Sequence, residues 1–275
     1  MWRLWTLAFL LPFTDGSSQS VSTLLGARAA GMGYASATLQ DEWSIFNNIS
    51  GIAELKETQA SAAYEVRPSL TAANRLGALA IIPIAPGTLG ISVFRFGDDI
   101  YSEQIASVGF ANRIGNTSLG GRISYIQYRA DGFGTKSTVG IDLGGITKLA
   151  DQLFIGAWIQ NVNRPKLKFN NEEKAPIKLF ASLAFKPSEK FFVCTELEKD
   201  VLYPVIWKTG MEYSILKKFF ARIGVNVNPN AMFAGVGFKS WRIKIDYALQ
   251  GFTQFSSTHQ ASATYSFTGN KKPEK

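Results

Sequence analysis

Val205-Ile206-Trp207-Lys208-Thr209-Gly210-Met211-Glu212-Tyr213-Ser214-Ile215 alternates between two kinds of side chain. Val205, Trp207, Met211, Tyr213 and Ile215, with Thr209 among them, form a mostly apolar set. Ile206, Lys208, Gly210, Glu212 and Ser214 form a mostly polar or small one. A period of two is the signature of a β-strand with one apolar face. The pattern repeats outward. Phe219, Ala221, Ile223, Val225 and Val227 oppose Phe220, Arg222, Gly224 and Asn226. Trp241, Ile243, Ile245, Tyr247 and Leu249 oppose Arg242, Lys244, Asp246, Ala248 and Gln250. The polar face carries full charges at mid-strand, and the strands run about ten residues, near the roughly 9–11 that cross a bilayer when tilted. In a membrane barrel such a face looks into the lumen and the apolar face meets lipid.

Extending the reading gives strands at 58–66, 75–83, 88–95, 104–112, 117–128, 137–148, 153–162, 177–186, 190–198, 204–215, 218–227, 231–238, 241–250 and 258–267. The count is even, and the connections alternate between longer and shorter, as in outer-membrane barrels with long external loops and short periplasmic turns. The expected fold is all-β: a transmembrane antiparallel up-and-down β-barrel of about fourteen strands, spanning 58–267. Leu76 to Phe94 has no charge, but Pro83, Pro86 and Gly87 at its centre mark a turn between strands and argue against a helix. Tyr125, Tyr128, Trp158, Phe185, Phe191, Tyr203, Trp207, Tyr213, Phe219, Trp241 and Phe267 near strand ends are candidates for interfacial girdles, with plain β-propensity the alternative.

Met1-Trp2-Arg3, the uncharged run Leu4 to Thr14 and the small residues that follow read as a secretory signal peptide over 1–20. Small-x-small patterns at Gly16/Ser18 and Ser18/Ser20 offer two cleavage sites. The expected location is the outer membrane of a Gram-negative-type bacterium. Residues 268–275 form a basic tail that makes the terminal Phe267 internal.

Composition narrows the chemistry. Of 275 residues, one is Cys and one is His, so no disulfide framework or two-histidine zinc motif is available. The net charge of +8 is scattered, with no zinc-finger spacing or P-loop, and nucleic-acid binding is not expected. No cofactor is indicated. Ser256, Ser257 and His259 lie close together, but His259 reads as an interfacial or loop residue rather than a catalytic base. Glu196, Glu198, Lys208, Glu212, Arg222, Lys244 and Asp246 are expected to form a lumenal charge network. Asn163 to Pro176 is the longest and most charged connection, a candidate for partner contact. Gly120-Gly121 and Gly144-Gly145 either kink their strands or relieve crowding inside the barrel, and the second reading is preferred.

Residues 21–57 do not alternate. They are rich in small residues, with Asp41 placed to cap a short helix carrying Trp43 and Phe46, and Gly51 placed to end it. The segment reads as a lumenal plug whose marked residues are Gly31, Met32, Gly33, Asp41, Trp43, Phe46, Asn47 and Gly51. A periplasmic extension is the alternative.

Gly26-Ala27-Arg28-Ala29-Ala30-Gly31-Met32-Gly33, then Ala35, Ala37, Asp41, Ser44, Asn47 and Gly51-Ile52-Ala53, resembles the N-terminal pattern of the PorV/PorQ proteins. These lie within the wider FadL-like group of fourteen-stranded outer-membrane barrels. The sequence departs from that pattern at Asn48-Ile49-Ser50-Gly51-Ile52, where a proline is usual. The resemblance implies a non-enzymatic accessory or cargo-shuttle barrel of type IX protein secretion, with a translocon and cargo signal domains as partners alongside membrane lipid. The alternative is a FadL-like channel for a hydrophobic small-molecule ligand.

Overall fold

The computed structural model describes residues 21–166, 174–201, 203–252 and 257–267. The expected signal peptide over 1–20 and the expected basic tail over 268–275 lie outside these residues, as does the middle of the 163–176 loop.

Fourteen strands follow a short inner segment: β1 (Gln59–Val66), β2 (Arg75–Ile84), β3 (Gly87–Gly97), β4 (Tyr101–Ile114), β5 (Thr117–Ala130), β6 (Gly134–Ala150), β7 (Leu153–Gln160), β8 (Lys178–Ser188), β9 (Phe191–Asp200), β10 (Ile206–Ile215), β11 (Phe219–Val227), β12 (Ala231–Lys239), β13 (Ile243–Phe252) and β14 (Thr258–Ser266). Each pairs antiparallel with its neighbours in sequence, and β1 pairs with β14 from Gln59↔Ser266 to Val66↔His259. The sheet is therefore a closed up-and-down barrel with no free edge.

Alternation sets the two surfaces. Trp207, Ile223, Val236, Ile245 and Leu249 point outward and are exposed, Val236 and Ile223 to 59% each. A continuous apolar surface of this kind is unstable in water and matches a lipid environment. Lys208, Glu212, Arg222 and Asp246 point inward and are buried. No helix among the described residues is long and apolar enough to span a membrane, which says nothing of spanning strands.

Two sequence expectations change. The expected connections 96–103 and 129–136 shrink to 98–100 and 131–133, because β4, β5 and β6 run 14, 14 and 17 residues. Backbone pairing continues past the point where side-chain alternation fades, up to Tyr101↔Ala130 and Ala130↔Gly134. These strands exceed the roughly 9–11 residues that span a bilayer, so they project beyond the others at the long-loop end. Trp158 and Tyr128 leave the girdle set: both are buried and face inward, and Trp158 stacks on Phe180 with ring centroids 4.3 Å apart. The stretch 153–160 is apolar on both faces, so periodicity did not assign its sides.

The inner segment occupies the lumen. From Thr23 to Ala53 every residue is buried except Arg28 and Gln40. One helical turn, α1 (Ala27–Gly31), contacts β11 to β14, and two 3-10 turns, Glu42–Ile45 and Ile49–Glu54, contact β2 to β6. The segment runs from the long-loop end to the short-turn end. Ser22 O there accepts from Arg75 at 2.8 Å, and Glu54 at the other end meets Arg113 at 3.0 Å and Ser118 at 3.1 Å.

Candidate functional site

Asp41 caps the first 3-10 turn. Its carboxylate accepts from the Trp43 N–H at 3.0 Å, and the Asp41 N–H donates to Ser44 Oγ at 3.3 Å, a reciprocal capping box. Gly51 does not end this turn. It lies inside the second, where a Cβ would strike the Leu39 carbonyl and Ser44, so its role is close approach. Gly33 has φ +68°, a conformation open to glycine at little cost, and turns the chain after α1. Gly31 sits against Gly235, and Met32 against Gly210 and Gly224, where any Cβ on the wall would meet Met32 backbone. Trp43 and Phe46 stack at 6.0 Å in an apolar cluster with Leu25, Ile45, Ile49, Ile52 and Phe94. Asn47 donates to the Leu25 carbonyl at 3.1 Å, tying the two halves of the segment together.

Gly120 and Gly144 face each other across β5 and β6 beneath this segment. A Cβ on Gly144 would collide with Asn48, and one on Gly120 would come within 3.0 Å of the Ser50 nitrogen. Pairing is continuous through Gly120-Gly121 and Gly144-Gly145, so the wall is not kinked. Gly120 and Gly144 make room inside, while Gly121 and Gly145 lie on the outer face beside Leu143 and Leu119.

The expected lumenal charges come together and grip the inner segment. Glu196 accepts from the Ser36 and Ala37 N–H groups at 2.9 and 2.7 Å, and from Lys208 at 3.0 Å. Lys208 also pairs with Glu198 at 2.7 Å. Glu212 is held by Arg222 at 2.5 Å and by Arg28 at 2.7 Å, Arg222 reaches Asp246 at 2.7 Å, and Lys244 links Asp246 at 3.6 Å to Glu42 at 3.2 Å. Buried charges persist only when paired in this way.

Sequence reading missed Arg28 and two further clusters. Arg28 joins Glu212 to Asp41, yet it stands in a run of small residues with its partner 184 positions away. Arg75, Glu65, Tyr34 and Gln260 form a second cluster at the long-loop end. Burial pushes the Tyr34 hydroxyl above its ordinary range, and the Glu65 carboxylate beside it adds to the shift. Arg122 pairs with Asp142 and donates to the Ile45 carbonyl.

Space remains among the described residues at both ends of the lumen and on the outer face. At the short-turn end, hollows of about 280, 260 and 510 Å³ adjoin at Gln40 and form an open polar vestibule whose inner limit is the Arg28–Glu212 network. Inside the long-loop end, a cavity of about 20 Å³, near the size of one water, lies between Thr23, Phe46, Phe94, Ile105, Ile126 and Tyr128. On the outer face, an apolar groove of about 430 Å³ runs over β2 to β5 past Leu76, Gly77, Ala78, Val93 and Ala106. Phe94 and Ile105, a cross-strand pair, line both the inner cavity and the groove. The wall between them is the β3–β4 ladder, paired without a break from Thr88↔Ala111 to Gly97↔Ser102.

Ser257 and His259 lie on β14 or just before it, and Ser256 lies outside the described residues. His259 Nδ1 meets Tyr247 Oη at 2.5 Å and Nε2 meets Ser257 Oγ at 3.1 Å. Among the described residues no carboxylate bonds to this ring, so the imidazolium that a triad stabilises has no counter-charge here. No group of three or more His, Cys, Asp or Glu among the described residues is arranged to hold a metal. Cys194 is buried against the Ala35 carbonyl.

No protein-family model and no curated protein matches the sequence. Solved structures do match. A deltaS2 mutant of the monoaromatic hydrocarbon channel TodX gives a TM-score of 0.71 at 12% identity, over 90% of this chain and 100% of that one. The toluene transporter TbuX of Ralstonia pickettii gives 0.68 at 11% identity, over 90% and 99%. A FadL homologue of Pseudomonas aeruginosa gives 0.59 at 12% identity, over 90% and 100%. The FadL-like part of the resemblance therefore holds at the level of fold. None of these three structures is a PorV/PorQ protein.

Proposed function

We propose that the chain is a non-enzymatic outer-membrane channel of FadL type for small apolar molecules. The observation that carries this reading is the shared Phe94–Ile105 partition between an inner cavity and an apolar outer groove. A solute entering at the long-loop end displaces the start of the inner segment, reaches the cavity and leaves sideways into lipid where the β3–β4 ladder parts beside Phe94. Apolar area drives each step, and the solute never crosses the charged network below. The barrel shared with hydrocarbon channels supports the reading. The test is uptake of radiolabelled toluene by cells carrying the protein. Phe94→Ala with Ile105→Ala should raise the rate several-fold and Phe94→Trp should lower it. Uptake that ignores both the protein and these changes sinks the channel.

A second reading rests on a different observation. The inner segment fills the lumen and is tied to the wall by buried ion pairs, an arrangement suited to an accessory barrel of type IX secretion as well. Crosslinking and pull-down from native outer membranes distinguishes the two. Recovery of a translocon or cargo signal domains would favour the accessory barrel, and deletion within the 163–176 loop would then test where it binds.

A further inference from the structure

Six buried carboxylates of the lumen have cationic partners: Glu65 has Arg75, Asp142 has Arg122, Glu196 and Glu198 have Lys208, and Glu212 and Asp246 have Arg222. Glu103 differs. It is 1% exposed at the long-loop end of β4, and among the described residues no Lys, Arg or His forms an ion pair with it. Its contacts are the Tyr101 hydroxyl at 2.7 Å and the backbone N–H of Val21. Lys178 is the nearest cation to influence it and is directed to Glu198 at 4.0 Å. A carboxylate buried without a counter-charge is costly, and the wall supplies a cation to each of these other carboxylates.

The group that touches Glu103 is a backbone nitrogen one bond downstream of Ser20. The preceding sequence, Ser18-Gln19-Ser20, places small residues at the two positions that a signal peptidase reads before its scissile bond. We infer that the processing bond is Ser20–Val21 and that the α-ammonium group it frees on Val21 is the missing counter-charge of Glu103. A membrane-bound signal peptidase adds water across the amide: hydroxide goes to the Ser20 carbonyl carbon, and the proton goes to the Val21 nitrogen. An α-amine ordinarily titrates at about 7.7–8.0, so it is mostly cationic at neutral pH before any stabilisation by the carboxylate. Cleavage after Ser18 would instead leave Gln19 and Ser20 ahead of Val21. The charge would then lie up to about 7 Å further along the chain, and Glu103 would keep only a neutral amide. The inference is independent of what passes through the barrel.

The test starts with the full chain, expressed with its leader and purified from outer membranes. Intact mass and N-terminal sequencing should show Val21 as the first residue. A mature chain starting at Gln19 or elsewhere, or one retaining its leader, overturns the assignment. The ion pair is tested by Glu103→Gln, by inserting one glycine between Ser20 and Val21, and by both together, with the start of each chain checked by mass. Each single change should lower the thermal midpoint by a few degrees, and the combination should lower it no further than the worse single change. Additive losses, or no loss from either, overturn the pairing.

Discussion

The two sides of the lumen solve the same packing problem in opposite ways. Against β10 to β14 the inner segment is small, Ala27 to Gly33, and the wall supplies Lys208, Glu212, Arg222, Lys244 and Asp246. Against β2 to β6 the inner segment is large, with Trp43, Ile45, Phe46, Ile49 and Ile52, and the wall supplies Gly77, Gly90, Gly109, Gly120 and Gly144. On the first side hydrogen-bonded charges fix position. On the second, volume does. The apolar groove and the inner cavity both lie on the second side, so the proposed route for apolar solutes would follow the wall held mainly by packing, where Arg75 and Arg122 add bonds to inner-segment carbonyls.

The contrast breaks most severely where backbone meets backbone. Gly224→Val would drive a side chain into Met32 and Gly33. It should cost more than about 4 kcal/mol and leave the inner segment open to protease in the folded barrel. Arg222→Met tests the charged side. It strands Glu212 and Asp246, which retain Arg28 and Lys244, and should cost about 3–5 kcal/mol in urea unfolding. Ile49→Ala tests the packed side and should cost about 2–5 kcal/mol. Its partner sharpens the comparison: a Cβ on Gly109 would lie 2.6 Å from Ile49 Cδ1. Gly109→Ala should therefore destabilise the native protein but do little harm, or even restore stability, once Ile49 is alanine. A favourable coupling in that cycle marks complementarity of volume, and additive losses would refute it. At the bottom of the scale, Lys186→Ala removes an ion pair to exposed Glu189 and should leave the unfolding midpoint unchanged.

The barrel was legible because its period of two is local and each strand repeats it. The charged wall was legible for the same reason: Lys208, Glu212, Arg222, Lys244 and Asp246 occupy alternate positions opposite an apolar set. The packed wall was not. Gly90 and Gly109 look like weak strand positions until Ile45 and Ile49 are seen to fill the space above them. Arg28 and Glu103 were missed for a related reason. Each acquires its role from a group far away in sequence, Glu212 for one and the Val21 nitrogen for the other. The expected loops at 96–103 and 129–136 failed because a ladder is made by backbone, which keeps pairing where side chains turn polar.

The inner segment is joined to the barrel wall at its lower end, through Leu55 to Thr58 into β1, and its first described residues lie at the long-loop rim. Mechanically it is a stopper on a leash. Wholesale withdrawal can proceed only toward the short-turn side, where the leash is anchored and where the ion pairs of Arg28 and Lys244 must all yield. Bending the upper end breaks the contacts of residues 21–25, and that is the end where Thr23 borders the small inner cavity. Compliance is thus concentrated beside the Phe94–Ile105 pair, and stiffness beneath it.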